Sequence, residues 1–312
     1  MQIVKNTDKI KKFDKSVVTI GTFDGLHIGH LEILKELNSK AKKYGCFSVV
    51  VTFDPHPRTI VLDNYNLKLL TPLEEKIKYF EKLEVDFLYI IKFTKEFSKK
   101  TYKNFFNDII INQVNAKHLI LGYDHKFGND RKGDLNKLVE YTKDKDVEIS
   151  VVGPKKINGH IVSSTKIRDA LLEGNIKEAN KMLGKDYSCE GTVEEGSKRG
   201  RTIGFPTANI SICNNEKLLP KNGVYLVKVV LDSEKYFGLT NIGLRPTFNN
   251  AIKPIIEVYI FDFNKNIYGK KIVVHFLERI RDEKKFTSVD ELKEKIKEDV
   301  NKAKETIKRN FK

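Results

Sequence analysis

The sequence predicts an α/β domain with a parallel, doubly wound sheet, followed by an antiparallel β-barrel domain with a C-terminal helix. Three observations lead to this fold class. The chain has 312 residues, which is long enough for about two domains. Its first half alternates short apolar runs with amphipathic stretches, which is typical of strands separated by helices. Its second half places apolar runs directly after one another, across turns that contain Gly and Asn.

In the first half, the predicted strands are SVVTIG, CFSVVVTF, VDFLYIIKF, HLILG and EISVVG. A first helix, HLEILKELNSKAKKYG, is expected to end at Gly45. A further helix lies in TPLEEKIKYFEKL, with Thr71 as its N-cap, Pro72 at the first helical position and Glu74 in a capping box. Because such sheets bind ligands at the carboxyl ends of their strands, the loops after the strands are the expected site.

In the second half, two hairpins are expected from about Tyr187 onwards. GVYLVKVVLD pairs with YFGLTNIG across SEK, and IIEVYIFDF pairs with KKIVVHFLERI across NKNIYG. A final amphipathic helix is expected to pack on the barrel through one apolar face, which comprises Val289, Leu292, Ile296, Val300, Ala303 and Ile307. The predicted domains are residues 1–185 and 186–312.

Composition and charge narrow the function classes. The 40% hydrophobic content predicts a globular chain, and the formal net charge of +15 comes from lysines spread among many acids without a basic run. A solvated surface is therefore favoured, and no nucleic-acid partner is expected. Cys46, Cys189 and Cys213 are far apart and odd in number, which suits neither disulfides nor a CxxC metal site. With no signal peptide or membrane-length apolar segment, we expect a cytoplasmic protein without a membrane partner; its oligomeric state stays open.

The stretch GTFDGLHIGH, residues 21–30, directly follows the first predicted strand and opens the first predicted helix. His27 and His30 are three residues apart and share a helix face. A helix N-terminus offers free N–H groups and the positive end of the helix dipole, which favours phosphate binding. Close approach of the backbone to a ligand is permitted by Gly21, Gly25 and Gly29.

Two other interpretations of the histidine pair stay open. A zinc site would need a third ligand, for which His56 is the candidate, although HExxH spacing is missing. A structural pair of core histidines is less favoured, because polar Thr22, Asp24 and His27 crowd one turn.

The same stretch resembles the nucleotide-binding motif of the HxGH nucleotidyltransferases, a superfamily with a Rossmann-like domain that includes class I aminoacyl-tRNA synthetases. The resemblance implies that His27 and His30 hold the phosphates of ATP while a nucleophile attacks the α-phosphate and expels pyrophosphate. SSTKIR, residues 163–168, resembles the second motif of the superfamily, which implies Arg168 rather than Lys166 as the cation on the departing phosphates. The other implied nucleotide-binding residues are Gly21, Phe23, Asp24, Gly29, Ser163, Ser164 and Thr165.

Two further segments resemble the FMN-adenylyltransferase module of the prokaryotic bifunctional riboflavin kinases/FAD synthetases. They are VTFDPHP, residues 51–57, and LGYDHKFGNDRKGD, residues 121–134. The resemblance implies that His56 and Asp124 help to shape the flavin site. The chain departs from the family pattern at Ile28, where many relatives have arginine, and at His125, where many have an aromatic residue.

A Gly-rich basic segment, GTVEEGSKRGRTIGFPTANI, spans residues 191–210. Backbone N–H groups and cations in such a loop suit phosphates, although the P-loop pattern is missing and a plain surface hairpin stays open. The candidate phosphate-binding residues are Gly196, Lys198, Gly200, Arg201 and Gly204. GFPTAN within it resembles the riboflavin kinase signature, which implies Thr207 and Asn209 as oxygen ligands of Mg²⁺ with the nucleotide. Turn chemistry after Pro206 is the alternative.

A lone acid, Glu257, interrupts the apolar strand IIEVYIFDF. The resemblance implies that Glu257 is the catalytic base for attack of the riboflavin 5′-hydroxyl on the γ-phosphate; a residue on the solvent face of a strand is the alternative. IGLRPTF, residues 242–248, and ERIRDEKKF, residues 278–286, match further family segments, with Arg281 as a flavin or phosphate contact.

The resemblance spans residues 17–304, with its motifs in the family's order. It implies that the carboxyl-terminal domain phosphorylates riboflavin to FMN with Mg²⁺ and ATP, and that the amino-terminal domain adenylates FMN to FAD. The implied partners are riboflavin, FMN and ATP, with Mg²⁺ as cofactor and FMN and FAD as substrate or product. Two other classes stay open: a nucleic-acid enzyme related to the class I synthetases, and a flavin-binding regulatory or carrier protein.

Overall fold

The structure, a computed structural model, describes residues 1–6, 13–62, 67–123, 135–196, 199–246 and 252–311. The chain forms two compact units, Met1–Ser164 and Thr165–Lys312. The predicted domain boundary at residues 185/186 lies further along the chain than this division, so two helices before that boundary belong to the second compact unit.

The first unit is built on a six-stranded sheet in which all neighbouring strands are parallel, in the order β1-β4-β3-β2-β5-β6. Its strands are β1 (Gln2–Lys5), β2 (Ser16–Ile20), β3 (Phe47–Asp54), β4 (Phe87–Lys92), β5 (Ala116–Gly122) and β6 (Glu148–Val152). Its helices are α1 (Ile28–Tyr44), α2 (Pro57–Val61), α3 (Leu73–Lys82), α4 (Lys95–Ser98), α5 (Tyr102–Phe105) and α6 (Leu135–Thr142). A π-helical segment, Phe106–Gln113, follows α5, and a short hairpin joins β7 (Lys156–Ile157) and β8 (His160–Ile161).

The sheet of the first unit carries a core on each face. Successive side chains of a strand point to opposite faces, so Val49 and Val51 of β3 pack in one core with the π-helical segment, and Val50 packs in the other with α1 and α3. The parallel, doubly wound sheet predicted from alternating strands and helices is confirmed. Helix α1 ends where expected, because Gly45 adopts the left-handed conformation and its N–H closes the last turn.

The start of α3 differs from the prediction. The N-cap is Pro72 and no side chain caps the helix, so the assignment of Thr71 as the N-cap, with Glu74 in a capping box, is wrong. The physical reason is that Asp24, which is distant in the sequence, binds the backbone before the helix. The Asp24 carboxylate accepts the backbone N–H groups of Leu70 and Thr71, at 3.2 and 2.9 Å, and so fixes the chain before the helix.

The second unit contains a closed six-stranded barrel in the order β10-β13-β12-β11-β14-β9, with antiparallel neighbours throughout. Its strands are β9 (Tyr187–Glu194), β10 (Ala208–Ile212), β11 (Gly223–Leu231), β12 (Glu234–Pro246), β13 (Ile252–Ile260) and β14 (Lys271–Arg281). Its helices are α7 (Ser164–Glu173), which starts at the division between the units, α8 (Ile176–Leu183), α9 (Arg199–Thr202) and α10 (Val289–Asn310).

The predicted barrel and C-terminal helix are both confirmed, and so is the first hairpin, β11 with β12. The second expected hairpin is wrong, because β13 pairs with β10 and β12 whereas β14 pairs with β9 and β11. Helix α10 packs on the outside of the barrel, where Ala303 is fully buried beside Val300 and Ile307. The predicted apolar face does not extend to the start of the helix, since Val289 is 61% exposed. Strands β11 and β12 meet at a tight turn in which Asp232 and Ser233 both have positive φ, which is the hairpin turn that matches strand twist.

Candidate active sites

The first candidate site lies at the carboxyl end of β2, the strand that pairs with β3 on one side and with β5 on the other. The chain leaves β2 and enters α1 through a turn formed by residues 21–27. In sheets of this kind, ligands bind in the crevice between neighbouring strands whose connections run in opposite directions. The fold therefore places the turn with the histidine motif at the expected ligand site.

The backbone of this turn is unusual. Phe23 and Leu26 have φ of +48° and +46°, and Gly25 has φ of +91°. Residues other than glycine seldom adopt positive φ, so the turn needs support from its surroundings. Both side chains are only 1% exposed, and the Phe23 ring packs edge-on against Phe80 of α3.

The two histidines stack at the start of α1. His27 is the N-cap, and its Nδ1 accepts the backbone N–H of His30 at 3.4 Å. The rings are nearly parallel with centroids 3.7 Å apart, and the His30 ring also contacts Phe23. Since Nδ1 of His27 accepts a hydrogen bond, the proton of the neutral ring lies on Nε2. That nitrogen is therefore a donor suited to a phosphate oxygen.

Two of the predicted glycines serve the shape of this turn. A Cβ on Gly21 would lie 3.1 Å from the Phe23 ring, and a Cβ on Gly29 would lie 3.2 Å from the His27 ring. Both distances are tighter than ordinary contacts, so glycine lets these rings pack directly against the backbone. Ile28, the position of a family departure, is the first residue of α1.

Asp24 and Ser164 connect the two predicted motifs of the first site. Asp24 is 1% exposed, its carboxylate binds the backbone before α3, and its carbonyl group accepts a hydrogen bond from the Ser164 hydroxyl at 2.8 Å. Ser164 is the first residue of α7, directly after Ser163 and before Thr165. Arg168 lies four residues further on the same helix, hence on the same helix face as Ser164.

The sequence motifs do not include Lys76, a buried lysine that contacts the turn. Lys76 of α3 is 4% exposed, and its ammonium group donates to the carbonyl oxygen of Thr22 at 2.8 Å. The available signal was its position three residues after Leu73 and four before Phe80, on the buried face of an amphipathic helix.

The remaining predictions for the first unit concern His56, a third metal ligand, Asp124 and His125. His56 follows β3 as the N-cap of α2, where its Nδ1 accepts the backbone N–H of Arg58 at 3.1 Å. Within the ranges that the structure describes, no group of three or more His, Cys, Asp or Glu residues could hold a metal ion. Asp124 and His125 lie outside the described residues.

The second candidate site is a row of polar side chains across three neighbouring strands of the barrel. Asn209 of β10 lies directly opposite Glu257 of β13, and Glu257 lies directly opposite Asn241 of β12. Directly opposite residues point to the same face of a sheet, with Cβ atoms about 4.5–5.5 Å apart. Asn241 was not among the predicted site residues.

This row lies on the outer surface of the barrel. Glu257 is half-buried and stands two residues before Tyr259, which packs against the outer core beneath α10. Its neighbours Ile256 and Val258 are 0% and 1% exposed and point to the opposite face. The Glu257 carboxylate is thus flanked by two amides on a surface that continues toward α10.

The Gly-rich segment folds back onto this row. A Cβ on Gly196 would overlap the amide nitrogen of Asn209, and a Cβ on Gly200 would overlap the Phe205 carbonyl oxygen and lie 3.2 Å from the Thr207 hydroxyl. Two of the predicted phosphate-binding glycines therefore lie against the predicted metal ligands Thr207 and Asn209.

The other predicted phosphate-binding residues of that segment are Gly204, Arg201 and Lys198. Gly204 has φ of +87°, a conformation that favours glycine, and Arg201 is exposed in α9. Lys198 lies outside the described residues. Thr207 and Asn209 offer neutral hydroxyl and amide oxygens, and this donor type fits Mg²⁺, whose remaining ligands in nucleotide complexes are phosphate oxygens and water.

Arg281, the predicted flavin contact, ties β14 to α10. Its Nε binds the carboxylate of Asp299 at 2.8 Å, its Nη1 donates to the Asp282 carbonyl group at 2.9 Å, and its guanidinium group lies over the Phe286 ring. Asp299 is only 4% exposed.

Comparison with known protein families matches both halves of the chain. A family model described as FAD synthetase matches residues 9–166, and one described as riboflavin kinase matches residues 183–307. Together with the α/β fold and the barrel, these matches define a two-part enzyme class with a nucleotidyltransferase part and a kinase part.

Relatives with both parts are similar over nearly the whole chain. A protein from Listeria monocytogenes is 39% identical over 295 residues, which cover 94% of this chain and 92% of that protein. One from Bacillus subtilis is 39% identical over 290 residues, covering 91% and 90%. Both are named bifunctional riboflavin kinase/FMN adenylyltransferase. The chain belongs to this family of bifunctional enzymes, and the activities implied by its motifs are confirmed at that level.

A solved structure shares the fold of the whole chain. The crystal structure of a protein from Streptococcus pneumoniae, named there a macrolide-efflux protein, superimposes with a TM-score of 0.88 at 36% identity and covers 100% of this chain and 99% of that one. In the part of the chain that the structure describes, no helix has the length and apolar character needed to cross a membrane. A nucleic-acid enzyme related to the class I synthetases would have a helical tRNA-binding domain in its second half, whereas the second unit of this chain contains a six-stranded barrel.

Proposed function

We propose that residues 1–185 transfer the adenylyl group of ATP to FMN and that residues 186–312 phosphorylate riboflavin, each with its own set of residues. The substrates are riboflavin, FMN and ATP, without a nucleic-acid or membrane partner, and the reactions take place in the cytoplasm. The observation that carries this division is the separation of the two polar constellations: the stacked histidines belong to one compact unit, and the row around Glu257 belongs to the other.

In the first reaction, a phosphate oxygen of FMN attacks the α-phosphorus of ATP, and the bond to the leaving pyrophosphate breaks. His27 and His30 hold the phosphates at the start of α1, where imidazole N–H groups and free backbone N–H groups are donors. The proton on Nε2 of His27 follows from the hydrogen bond that its Nδ1 accepts. Phe23, Gly21 and Gly29 shape the turn.

Charge that develops on pyrophosphate is stabilised by the second motif. Arg168 is the cation, and Ser163, Ser164 and Thr165 supply hydroxyl and backbone donors at the start of α7. The hydrogen bond from Ser164 to the carbonyl group of Asp24 supports this assignment, because it joins the motif to the histidine turn. Flavin contacts in this half are assigned to His56 and Asp124.

In the second reaction, the Glu257 carboxylate accepts the proton of the riboflavin 5′-hydroxyl as its oxygen attacks the γ-phosphorus of ATP, and ADP leaves. Thr207 and Asn209 would hold Mg²⁺ together with the nucleotide, and the ion would neutralise negative charge on the phosphates. The cross-strand pairing of Asn209 with Glu257 supports this assignment, because it brings metal ligand and base together.

The surrounding phosphate and flavin contacts of the kinase half complete the proposal. The phosphate-binding loop comprises Gly196, Lys198, Gly200, Arg201 and Gly204. Arg281 contacts the flavin from β14 while its Nε stays on Asp299.

The test uses the full-length protein with riboflavin, ATP and Mg²⁺, and follows FMN and FAD by chromatography over time. Glu257→Gln is expected to lower FMN formation by about 10²–10⁴-fold, while added FMN is still converted to FAD. His30→Ala is expected to do the reverse, with a loss of about 10²–10³-fold. Matched controls are Glu216→Gln and His160→Ala, which change exposed residues of the same types.

Either substitution stopping both reactions in a folded protein would contradict the division of labour. Omission of Mg²⁺ in the presence of EDTA tests the metal. Undiminished FMN formation under those conditions would contradict the assignment of Thr207 and Asn209 as its ligands.

A further inference from the structure

Helix α3 and the backbone just before it contact the histidine-bearing turn of the first unit at three points. The Asp24 carboxylate binds the backbone just before the helix, the Phe80 ring packs against Phe23, and the Lys76 ammonium group donates to the Thr22 carbonyl group. Lys76 and Phe80 are four residues apart, hence one above the other on the same face. The family motifs contain the turn but not the helix, so α3 is a support that the motifs do not include.

The turn depends on such support because of its backbone. With positive φ at two non-glycine residues, Phe23 and Leu26, the isolated segment would favour other conformations by about 1–3 kcal/mol for each strained residue. Thr22 directly precedes Phe23, so a hydrogen bond to its carbonyl oxygen fixes the peptide group from which the left-handed stretch begins. Lys76 therefore holds the peptide group directly before Phe23, the first residue of the turn with positive φ.

The positive charge of Lys76 has a second effect, on the electrostatics of the site. Asp24 is buried in the turn, and the exposed Asp54 ends β3, the strand beside β2, so one buried and one exposed carboxylate lie near a site whose ligand carries several negative charges. Carboxylates repel phosphate strongly where water is excluded. Burial lowers the pKa of Lys76, and attraction to Asp24 and then Asp54 acts in the opposite direction. The ammonium group is thus the cation that faces these two acids from α3.

We propose that Lys76 is a positioning residue for adenylyl transfer: its buried ammonium group holds the Thr22 carbonyl group and offsets the charge of Asp24 and Asp54, which keeps the turn in its phosphate-binding form. The inference rests on the proposed function of His27 and His30. A methionine at this position would match the apolar surroundings of Phe80 but would remove both the donor and the charge.

The experiment compares Lys76→Met with Lys78→Met in the full-length enzyme. Lys78 is an exposed lysine on the same helix, two residues further along. For Lys76→Met, kcat/KM for ATP in FAD synthesis is expected to fall by about 10- to 100-fold, the range for a lost hydrogen bond to a charged group. Lys78→Met is expected to leave it unchanged. FMN formation by the same molecules reports the concentration of active enzyme and is expected to be unaffected by either change.

Separate measurement of KM and kcat distinguishes a positioning role of Lys76 from an effect on protein stability. A variant that merely populates less folded enzyme lowers the apparent kcat and leaves KM for ATP unchanged. Loss of the charge offset raises KM for ATP, and loss of the turn geometry lowers kcat in addition. Lys76→Arg, which keeps the charge, is expected to recover most of the KM change. A normal KM for ATP in folded Lys76→Met, or a Lys76→Arg variant with the same raised KM, would overturn the proposal.

A folding failure also has a defined meaning. If Lys76→Met does not fold, as judged by thermal unfolding, the decision falls to Lys76→Gln, which keeps a donor without the charge. A folded Lys76→Gln with normal kcat/KM for ATP overturns the charge offset, and failure of both neutral variants to fold shows a structural role instead.

His30→Ala is measured in parallel. If that variant keeps FAD synthesis, the proposed role of the histidines fails; if it loses FAD synthesis while Lys76→Met does not, only the role of Lys76 fails.

Discussion

In the first unit, the candidate catalytic side chains stand on a turn with three positive-φ residues, whereas in the second unit they stand on neighbouring strands of a barrel. The first arrangement is held by contacts from elsewhere: Asp24 to the backbone before α3, Lys76 to Thr22, and Ser164 to Asp24. The second follows from strand pairing, which places Asn209, Glu257 and Asn241 side by side.

The difference indicates which changes each site tolerates. Strand register is set by the pattern of buried residues and by turn geometry, so the row of the second site should survive most single substitutions nearby. Its weak point is the close approach of the Gly-rich segment. The first site should respond to changes in backbone freedom and in buried charge, including changes at residues that no ligand touches.

Among substitutions outside the proposed catalytic groups, the largest effect is expected for Gly196→Ala in the second unit. The added Cβ would overlap the Asn209 amide, so the amide or the loop must move away from the position proposed for Mg²⁺. We expect kcat/KM for ATP in FMN formation to fall by about 100-fold, as for a lost group in a preorganised site, with FAD synthesis from added FMN unchanged. Gly153→Ala is the control, because a Cβ there meets nothing within 4 Å. Normal kinase kinetics in Gly196→Ala would show that the loop moves without cost.

Next in size is Gly25→Ala in the first unit. An alanine at φ of +91° is strained by about 1–3 kcal/mol, and the turn lies directly before the histidines. FAD synthesis should fall by about tenfold or more, while FMN formation stays at the wild-type level. Steady-state assays of both reactions on one preparation decide the result. Equal losses in the two reactions would contradict the idea that each site depends on its own local geometry.

A smaller effect is expected for Asp299→Ala, which removes the partner of Arg281. Asp299 is buried, but the Arg281 side chain is 19% exposed, and solvent weakens the ion pair. We therefore expect the free energy of unfolding to fall by about 1–2 kcal/mol. Urea unfolding followed through the loss of kinase activity measures it. Glu298→Ala, which breaks an exposed ion pair with Lys295 on the same helix, serves as the control. A destabilisation no larger than that of the control would remove the structural role of the Arg281 pair.

The smallest effect concerns the start of α10. Hydrogen bonds from Lys284 and then Thr287 hold the pKa of Glu291 at about 2, well below its ordinary value. Because the folded pKa lies below the unfolded pKa of about 4.3, the ionised group adds stability above that pH. The contribution is lost as the pH falls to about 2.

Glu291→Gln should therefore slightly lower the thermal midpoint of the kinase half at neutral pH and have no effect at the acid end of that range. Glu305→Gln, an exposed change on the same helix away from the cap, provides the comparison. A difference between Glu291→Gln and wild type that persists unchanged at the lowest pH would contradict the assignment.

Most strands and helices could be predicted because their signals are local. Apolar runs marked β2 to β6, and Gly45 marked the end of α1. Apolar runs do not mark a strand that buries few residues, or one in which polar residues alternate with buried ones. Strand β1 buries only Val4, and β9 alternates buried Cys189 with polar neighbours, so neither was expected as a strand. The sequence predicts Thr71 as a cap because local sequence does not reveal that the Asp24 carboxylate binds the Thr71 backbone.

The sequence by itself determined the kinds of chemistry in the chain and their order. A histidine pair where a strand gives way to a helix, a Gly-rich segment before Thr207 and Asn209, and an acid within an apolar strand are patterns of neighbouring residues. The tertiary structure alone decided which groups support them. Asp24 meets Leu70 across 46 residues, and Lys76 meets Thr22 across 54. Such pairs form only when the sheet and its helices have packed, because nothing in local propensity or periodicity brings distant residues together.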